Sequence, residues 1–217
     1  MSPTRLTVML AALVAASALS ACGSDDAEEA RGVDPDELVL LMEPGPIEEH
    51  WLGEPDAPVT VIEYASMTCS HCRDFHIGTF DAFVDEYVET GEVRFLFREF
   101  PLDDRAIAAS MLARCAPGEN AYYGVISLLF ETQPDWAFVE HDMFTQTLLG
   151  QVEQAGFTAE NFEACLSNQD LFEGILAVAD RGAELGVNST PTFFVNGIPY
   201  AGALSLENLG QAIDLAR

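Results

Sequence analysis

The sequence predicts an α/β fold in which two halves of one small sheet are separated by a helical insertion. Residues 59–100 read strand, helix, strand. Residues 103 to about 186 carry helical periodicity alone. Residues 192–216 read strand, strand, helix. The first half implies a parallel βαβ unit, because parallel neighbours need a crossover connection. A chain of 217 residues suits one domain with an insertion, and 49% apolar residues make it globular rather than disordered.

In chain order, Val59 to Ala65 (VTVIEYA) is β-branched and aromatic and reads as a buried strand. Phe80, Phe83, Val84, Tyr87 and Val88 recur at three- and four-residue steps, the stripe of an amphipathic helix. Gly91 stops that helix. Val93 to Phe100 (VRFLFREF) is a second strand, ended by Pro101. Helices are expected over Asp104 to Cys115, Tyr122 to Glu131, His141 to Ala155, Ala159 to Ser167 and Asp170 to Leu185, with Thr158 as an N-cap. Thr192 to Val195 returns to strand pattern. Asn196-Gly197 is a strong hairpin signal, and Ile198 to Tyr200 runs back. Ser205 caps a last helix, Leu206 to Ala216. The folded domain is expected at 57–217, with the helical insertion at about 103–186. No internal repeat is visible.

The N-terminus reads as a leader. Arg5 precedes sixteen apolar or small residues, Leu6 to Ala21, too few for a membrane span of about 20. Leu19-Ser20-Ala21-Cys22 resembles the lipobox of bacterial lipoproteins, which implies cleavage at 1–21 and lipidation of Cys22. Cleavage after Ala18-Leu19-Ser20 is the alternative. Either route exports the chain, so disulfides become chemically permitted. Residues 22–56, rich in Asp, Glu, Pro and Gly, read as a tether with one short helix near Asp36 to Met42. Acidic residues outnumber basic ones 36 to 9, and all nine are arginine. That balance excludes a nucleic-acid partner, which demands a positive surface.

The chemistry concentrates in SMTCSHCRDFH, residues 66–76. Cys69 stands at the expected N-terminus of the first helix. Free N–H groups and the helix dipole there favour an anion, so its thiol should ionise below the ordinary value of about 8.5. Cys72 lies one turn on and should be the more buried, resolving thiol. Ser70 can donate toward sulfur, and a charged His71 can stabilise the thiolate. Glu63, six residues before Cys69 in an apolar run, either relays a proton to Cys72 or points outward from an edge strand. Ser189-Thr190-Pro191-Thr192 opens the third strand, and a cis peptide before Pro191 would bring backbone against the sulfurs. A metal site is the rival reading, with Cys69, Cys72 and His76 as ligands. Otherwise His76 reads as a helix residue without chemistry, and His50 and His141 as surface residues.

VTVIEYASMTCSHC, VRFLFREFPLD, ARCA, FEACL and GVNSTPTFFVNG together resemble the DsbA-like branch of thioredoxin-fold oxidoreductases of bacterial envelopes, over residues 57 to 217. The resemblance implies a thioredoxin fold with a helical insertion between the βαβ and ββα halves. It implies Cys69 as nucleophile, Cys72 as resolving cysteine, Glu63 as buried acid and Pro191 as cis-proline. Ser70 stands where the family most often has proline. Thr190 is shared by oxidase and isomerase relatives. The activity implied is disulfide formation in reduced exported proteins. It needs no bound cofactor, reoxidation comes from a DsbB-like membrane partner, and the location is the periplasm, with membrane attachment only by lipid. The alternatives are an isomerase or reductase of the same fold and a metal-binding envelope lipoprotein. With Cys22 lipidated and Cys69–Cys72 redox-active, Cys115 and Cys165 remain, and a structural disulfide between them is expected.

Overall fold

The computed structural model describes residues 33–118 and 121–217. The expected leader and Cys22 lie outside them. Five strands form one mixed sheet in the order β1-β3-β2-β4-β5: β1 (Trp51–Leu52), β2 (Val59–Ala65), β3 (Val93–Glu99), β4 (Thr192–Val195) and β5 (Ile198–Ala201). β2 and β3 run parallel, with Glu63 opposite Phe97. β4 lies antiparallel on the other side of β2, with Glu63 opposite Phe193. β2 is thus the central strand, and all seven of its residues are buried. A strand covered on both faces reads as a continuous apolar run, which is why Glu63 stands out in it.

The chain from Ser70 to Val88 is one continuous helical run, α-helical over Ser70–Phe75 and Asp81–Phe83 with π-type turns over His76–Phe80 and Val84–Val88. Gly91 ends it at φ +78°, a conformation open to glycine without steric cost. Asn196 and Gly197 both have positive φ and turn β4 into β5, as a two-residue hairpin requires. The insertion holds the helices Asp104–Arg114, Tyr122–Glu131, Phe144–Val152, Ala159–Leu166 and Gln169–Glu184, plus a short turn, Gln133–Trp136, that the periodicity does not reveal. Thr158 caps its helix in a reciprocal capping box with Asn161, an arrangement worth about 1 kcal/mol.

One apolar cluster joins the sheet, the 70–88 helical run and the insertion around Phe75, Phe83, Phe95, Phe97, Phe130 and Trp136. A smaller one on the opposite face gathers Leu41, Ile62, Tyr64, Leu96, Val178 and Phe194. Leu41 belongs to the helix Pro35–Met42, which is capped by Asp34. Residues 33–56 are therefore not a tether but part of the fold. β1 pairs with the edge of β3. The buried Arg98 guanidinium meets Glu49 at 2.7 Å and donates to the carbonyls of Leu41 and Glu43 and to the Tyr64 hydroxyl. Removing either partner of so buried a pair strands the other charge, at a cost of about 3–5 kcal/mol. Val33 adds a hydrogen bond from its N–H to the Gly197 carbonyl at 2.9 Å.

The insertion is tied to the sheet by a second buried ion pair. Arg114 grips Glu99 with two hydrogen bonds of 2.7 Å, and the Tyr122 hydroxyl donates to the same carboxylate. His50, expected on the surface, is half-buried and stacked on Tyr122 at 4.2 Å between ring centroids. Cys115 and Cys165 are joined by a disulfide that closes a loop of 50 residues' separation and staples two insertion helices.

Candidate active site

β2 ends at Ala65, and the chain turns through Ser66, Met67 and Thr68 before the helix begins at Ser70. Cys69 is the residue before that helix, with extended backbone (φ −78°, ψ 123°). The turn is held on three sides. The Cys69 N–H donates to the Ser66 carbonyl at 3.1 Å. The Thr68 hydroxyl donates to Asp103 at 2.8 Å, and the Leu102 N–H donates to the Ser66 hydroxyl. From the insertion, the buried Gln133 amide donates to the carbonyls of Met67 at 2.9 Å and of Cys69 at 3.0 Å. One side chain thus fixes the carbonyls on either side of Thr68.

The two cysteines are free thiols in unequal surroundings: Cys69 is partly exposed and Cys72 is fully buried. The Cys69 thiol ionises at about 5. The largest cause is a hydrogen bond from Cys72. Partial burial opposes it, and Thr190 and the backbone N–H groups of Cys72 and His71 add to the stabilisation of the thiolate. Cys72 moves the other way, well above its ordinary value. Burial is the main cause, reinforced by the hydrogen bond to Cys69 and by the negative charges of Glu63 and Cys69. One sulfur is therefore a poised nucleophile and the other a sheltered thiol. Such a pair can attack a disulfide, or be attacked as one, at the outer sulfur.

Thr190 and Pro191 are joined by a cis peptide, and the Thr190 carbonyl lies 3.3 Å from the Cys69 sulfur as its hydrogen-bond acceptor. The Thr190 hydroxyl is buried with no partner among the described residues. His71 contributes its backbone N–H; its ring is 73% exposed and leans toward Asp74 at 3.9 Å. Ser70 is exposed.

Two readings left open by the sequence narrow here. Glu63 does not point outward from an edge strand. It sits at 0% exposure in the centre of the sheet. His76 lies in the helical run and faces Glu63 rather than standing with the cysteines as a metal ligand. Its Nε2 lies 2.9 Å from Glu63 Oε2, and both side chains are essentially inaccessible. Cys72 and His76, four residues apart, occupy one face of the helix, and Glu63 approaches that face from β2. Among the described residues no group of three or more His, Cys, Asp or Glu is arranged to hold a metal ion. Gln133 had no motif to announce it.

A family model described as Thioredoxin matches residues 46–215. A putative protein-disulfide oxidoreductase of Rickettsia typhi is 31% identical over 169 residues, 76% of this chain and 60% of that protein. The chain thus spans about 60% of the length of such curated relatives. Disulfide bond formation protein D of Bacillus subtilis is 27% identical, covering 67% of this chain and 66% of its own length. Among solved structures, α-DsbA1 of Wolbachia pipientis superposes with a TM-score of 0.74 at 28% identity, over 81% of this chain and 94% of that one.

Proposed function

Since the chain belongs to the thioredoxin family, in its DsbA-like branch, we propose that it is an exported thiol:disulfide oxidoreductase working as a dithiol oxidase. The observation that carries this reading is the unequal pair: an exposed sulfur whose thiol ionises at about 5 beside a buried one held protonated. A low thiol pKa stabilises the reduced form, and a couple whose reduced form is stabilised takes electrons readily.

The reaction begins with the Cys69–Cys72 disulfide. A substrate thiolate attacks Cys69, the exposed sulfur, and Cys72 leaves as a thiolate that takes up a proton. The mixed disulfide is then broken by the substrate's second thiolate attacking its own sulfur. Cys69 departs as a stable thiolate, and the substrate carries away a disulfide. Glu63 is the buried group that exchanges a proton with Cys72. The Cys72 thiol and the backbone N–H groups of His71 and Cys72 hold the Cys69 anion, and Pro191 sets beside the sulfur the Thr190 carbonyl, which accepts from the thiol form. The clients are reduced exported proteins. A DsbB-like membrane protein reoxidises the pair in the periplasm, and the chain is held to a membrane by lipid at Cys22. Among the described residues no helix is long and apolar enough to cross a membrane.

The test is the potential of the Cys69–Cys72 couple, equilibrated against glutathione, together with oxidative refolding of a reduced substrate. A value near that of strong oxidants, about −120 mV, is expected. A value near about −270 mV, as in thioredoxin, would sink the oxidase reading and favour a reductase. Cys69→Ser is expected to abolish substrate oxidation, and full activity in that variant would overturn the mechanism.

A further inference from the structure

His76 is enclosed by aromatic rings. It stacks on Phe130 at 4.4 Å and on Phe80 at 4.7 Å between centroids, and meets Phe75 and Phe97 edge-on at 5.4 and 5.7 Å. Its one polar contact among the described residues is Glu63, and its Nδ1 has none. Glu63 in turn has Oε2 on His76 and a buried Oε1 with no partner. The other titratable groups facing this pocket are Cys72, one turn before His76, and Tyr123 from the insertion. The Tyr123 hydroxyl is already committed, donating to the His50 carbonyl and accepting from the Phe97 N–H. A buried carboxylate oxygen needs a donor, and the imidazole is the one present among the described residues.

Resting on the oxidoreductase reading above, we propose that His76 is a positioning residue for the resolving step. Its Nε2–H, donated to Glu63 Oε2, holds the carboxylate in place, so that the free Oε1 takes the proton of Cys72. The arrangement is that of an activated nucleophile, with a base beside it and a third group orienting the base. In a mixed disulfide between Cys69 and an oxidant, the Cys72 proton passes to Glu63. The Cys72 sulfur then bonds to Cys69 as the Cys69–oxidant S–S bond breaks. The oxidant's sulfur leaves as a thiolate and is protonated by solvent. The oxidant is reduced and the dithiol oxidised. Reduction of the enzyme runs the same proton back from Glu63 to the departing Cys72.

The test separates the two steps in time. The reduced full chain is mixed with glutathione disulfide, quenched with acid and weighed by mass spectrometry across a pH series. Formation of the Cys69–glutathione adduct is the first phase, and its loss to the Cys69–Cys72 disulfide is the second. His76→Phe, which fills the aromatic enclosure but has no donor, is expected to slow the second phase relative to the first by tenfold or more. His76→Gln, which keeps an N–H donor, is expected to restore most of the ratio. A packing role would reverse that order, with phenylalanine tolerated and glutamine not, and would overturn the proposal. Should the phenylalanine variant fail to fold, Glu63→Gln removes the same base while keeping its shape. A native ratio and pH profile in that variant overturns the proposal equally. Absence of the first phase in the native chain would instead overturn the oxidoreductase reading, and this inference with it.

Discussion

Replacing Cys72 by alanine and, separately, by serine isolates what holds the Cys69 thiolate. The hydrogen bond from Cys72 is the largest contributor to its low value of about 5. A hydrogen bond to a charged group is worth about 1.5–3 kcal/mol, or about one to two pKa units. Cys69 is partly exposed, so solvent replaces part of the lost donor and the lower end applies. Cys72→Ala should therefore raise the Cys69 midpoint to about 6, while Cys72→Ser, which keeps an O–H donor, should leave it near about 5. Thiolate absorbance near 240 nm against pH reads the midpoint, and the pH dependence of alkylation by iodoacetamide checks it. A free cysteine titrates near about 8.5. The stabilisation of the reduced protein through Cys69 is thus fully present above that value and is lost as pH falls through about 5. Alanine and serine variants with the same midpoint would refute the reasoning, and the backbone N–H groups would then be the main support.

Two further outcomes follow from the same contacts. Replacing Cys115 and Cys165 together by alanine opens a loop of 50 residues' separation and should lower stability by about 4 kcal/mol in the chain-entropy picture; urea unfolding of the native and double-variant proteins measures it, and a loss under about 1 kcal/mol would contradict it. Gln133→Leu removes the donor shared by the Met67 and Cys69 carbonyls and should cost about 2–3 kcal/mol, with a changed rate of Cys69 alkylation as well; a stability loss without any change in that rate would show that the clamp does not reach the sulfur.

Much of the fold was legible because its signals are local. The strand runs, the Asn196-Gly197 turn and the Thr158 and Ser205 caps each state their structure within a few residues. β1 was not legible. Two residues, Trp51 and Leu52, carry no period, and they become a strand only because the edge of β3 is there to pair with. The same holds for residues 33–50, whose acidic and proline-rich composition suggests a tether. Buried partners decide otherwise: Arg98 lies 49 residues beyond Glu49 in sequence and meets its carboxylate in space. The CxxC and its inequality were readable from the strand-to-helix position. His76 left a usable signal, since it stands four residues after Cys72, with Glu63 an odd acid in the strand beside it. Combining the two spacings points to the pair. Gln133 left none, because a lone glutamine before a proline has no motif and acts only through a contact made across 64 and 66 residues.

The bond between Val33 and Gly197 sets which way the molecule faces. Gly197 lies in the β4–β5 turn, beside the start of β2, whereas Cys69 follows its end. The seven residues of β2 separate these two poles by about 20 Å. Val33 therefore lies at the pole opposite the reactive sulfur. Under the lipid attachment proposed at Cys22, Cys69 would face away from the membrane. An oxidant seated in that membrane would then be met only after the body turns over, so the proposed clients and the proposed reoxidant would be served by opposite orientations.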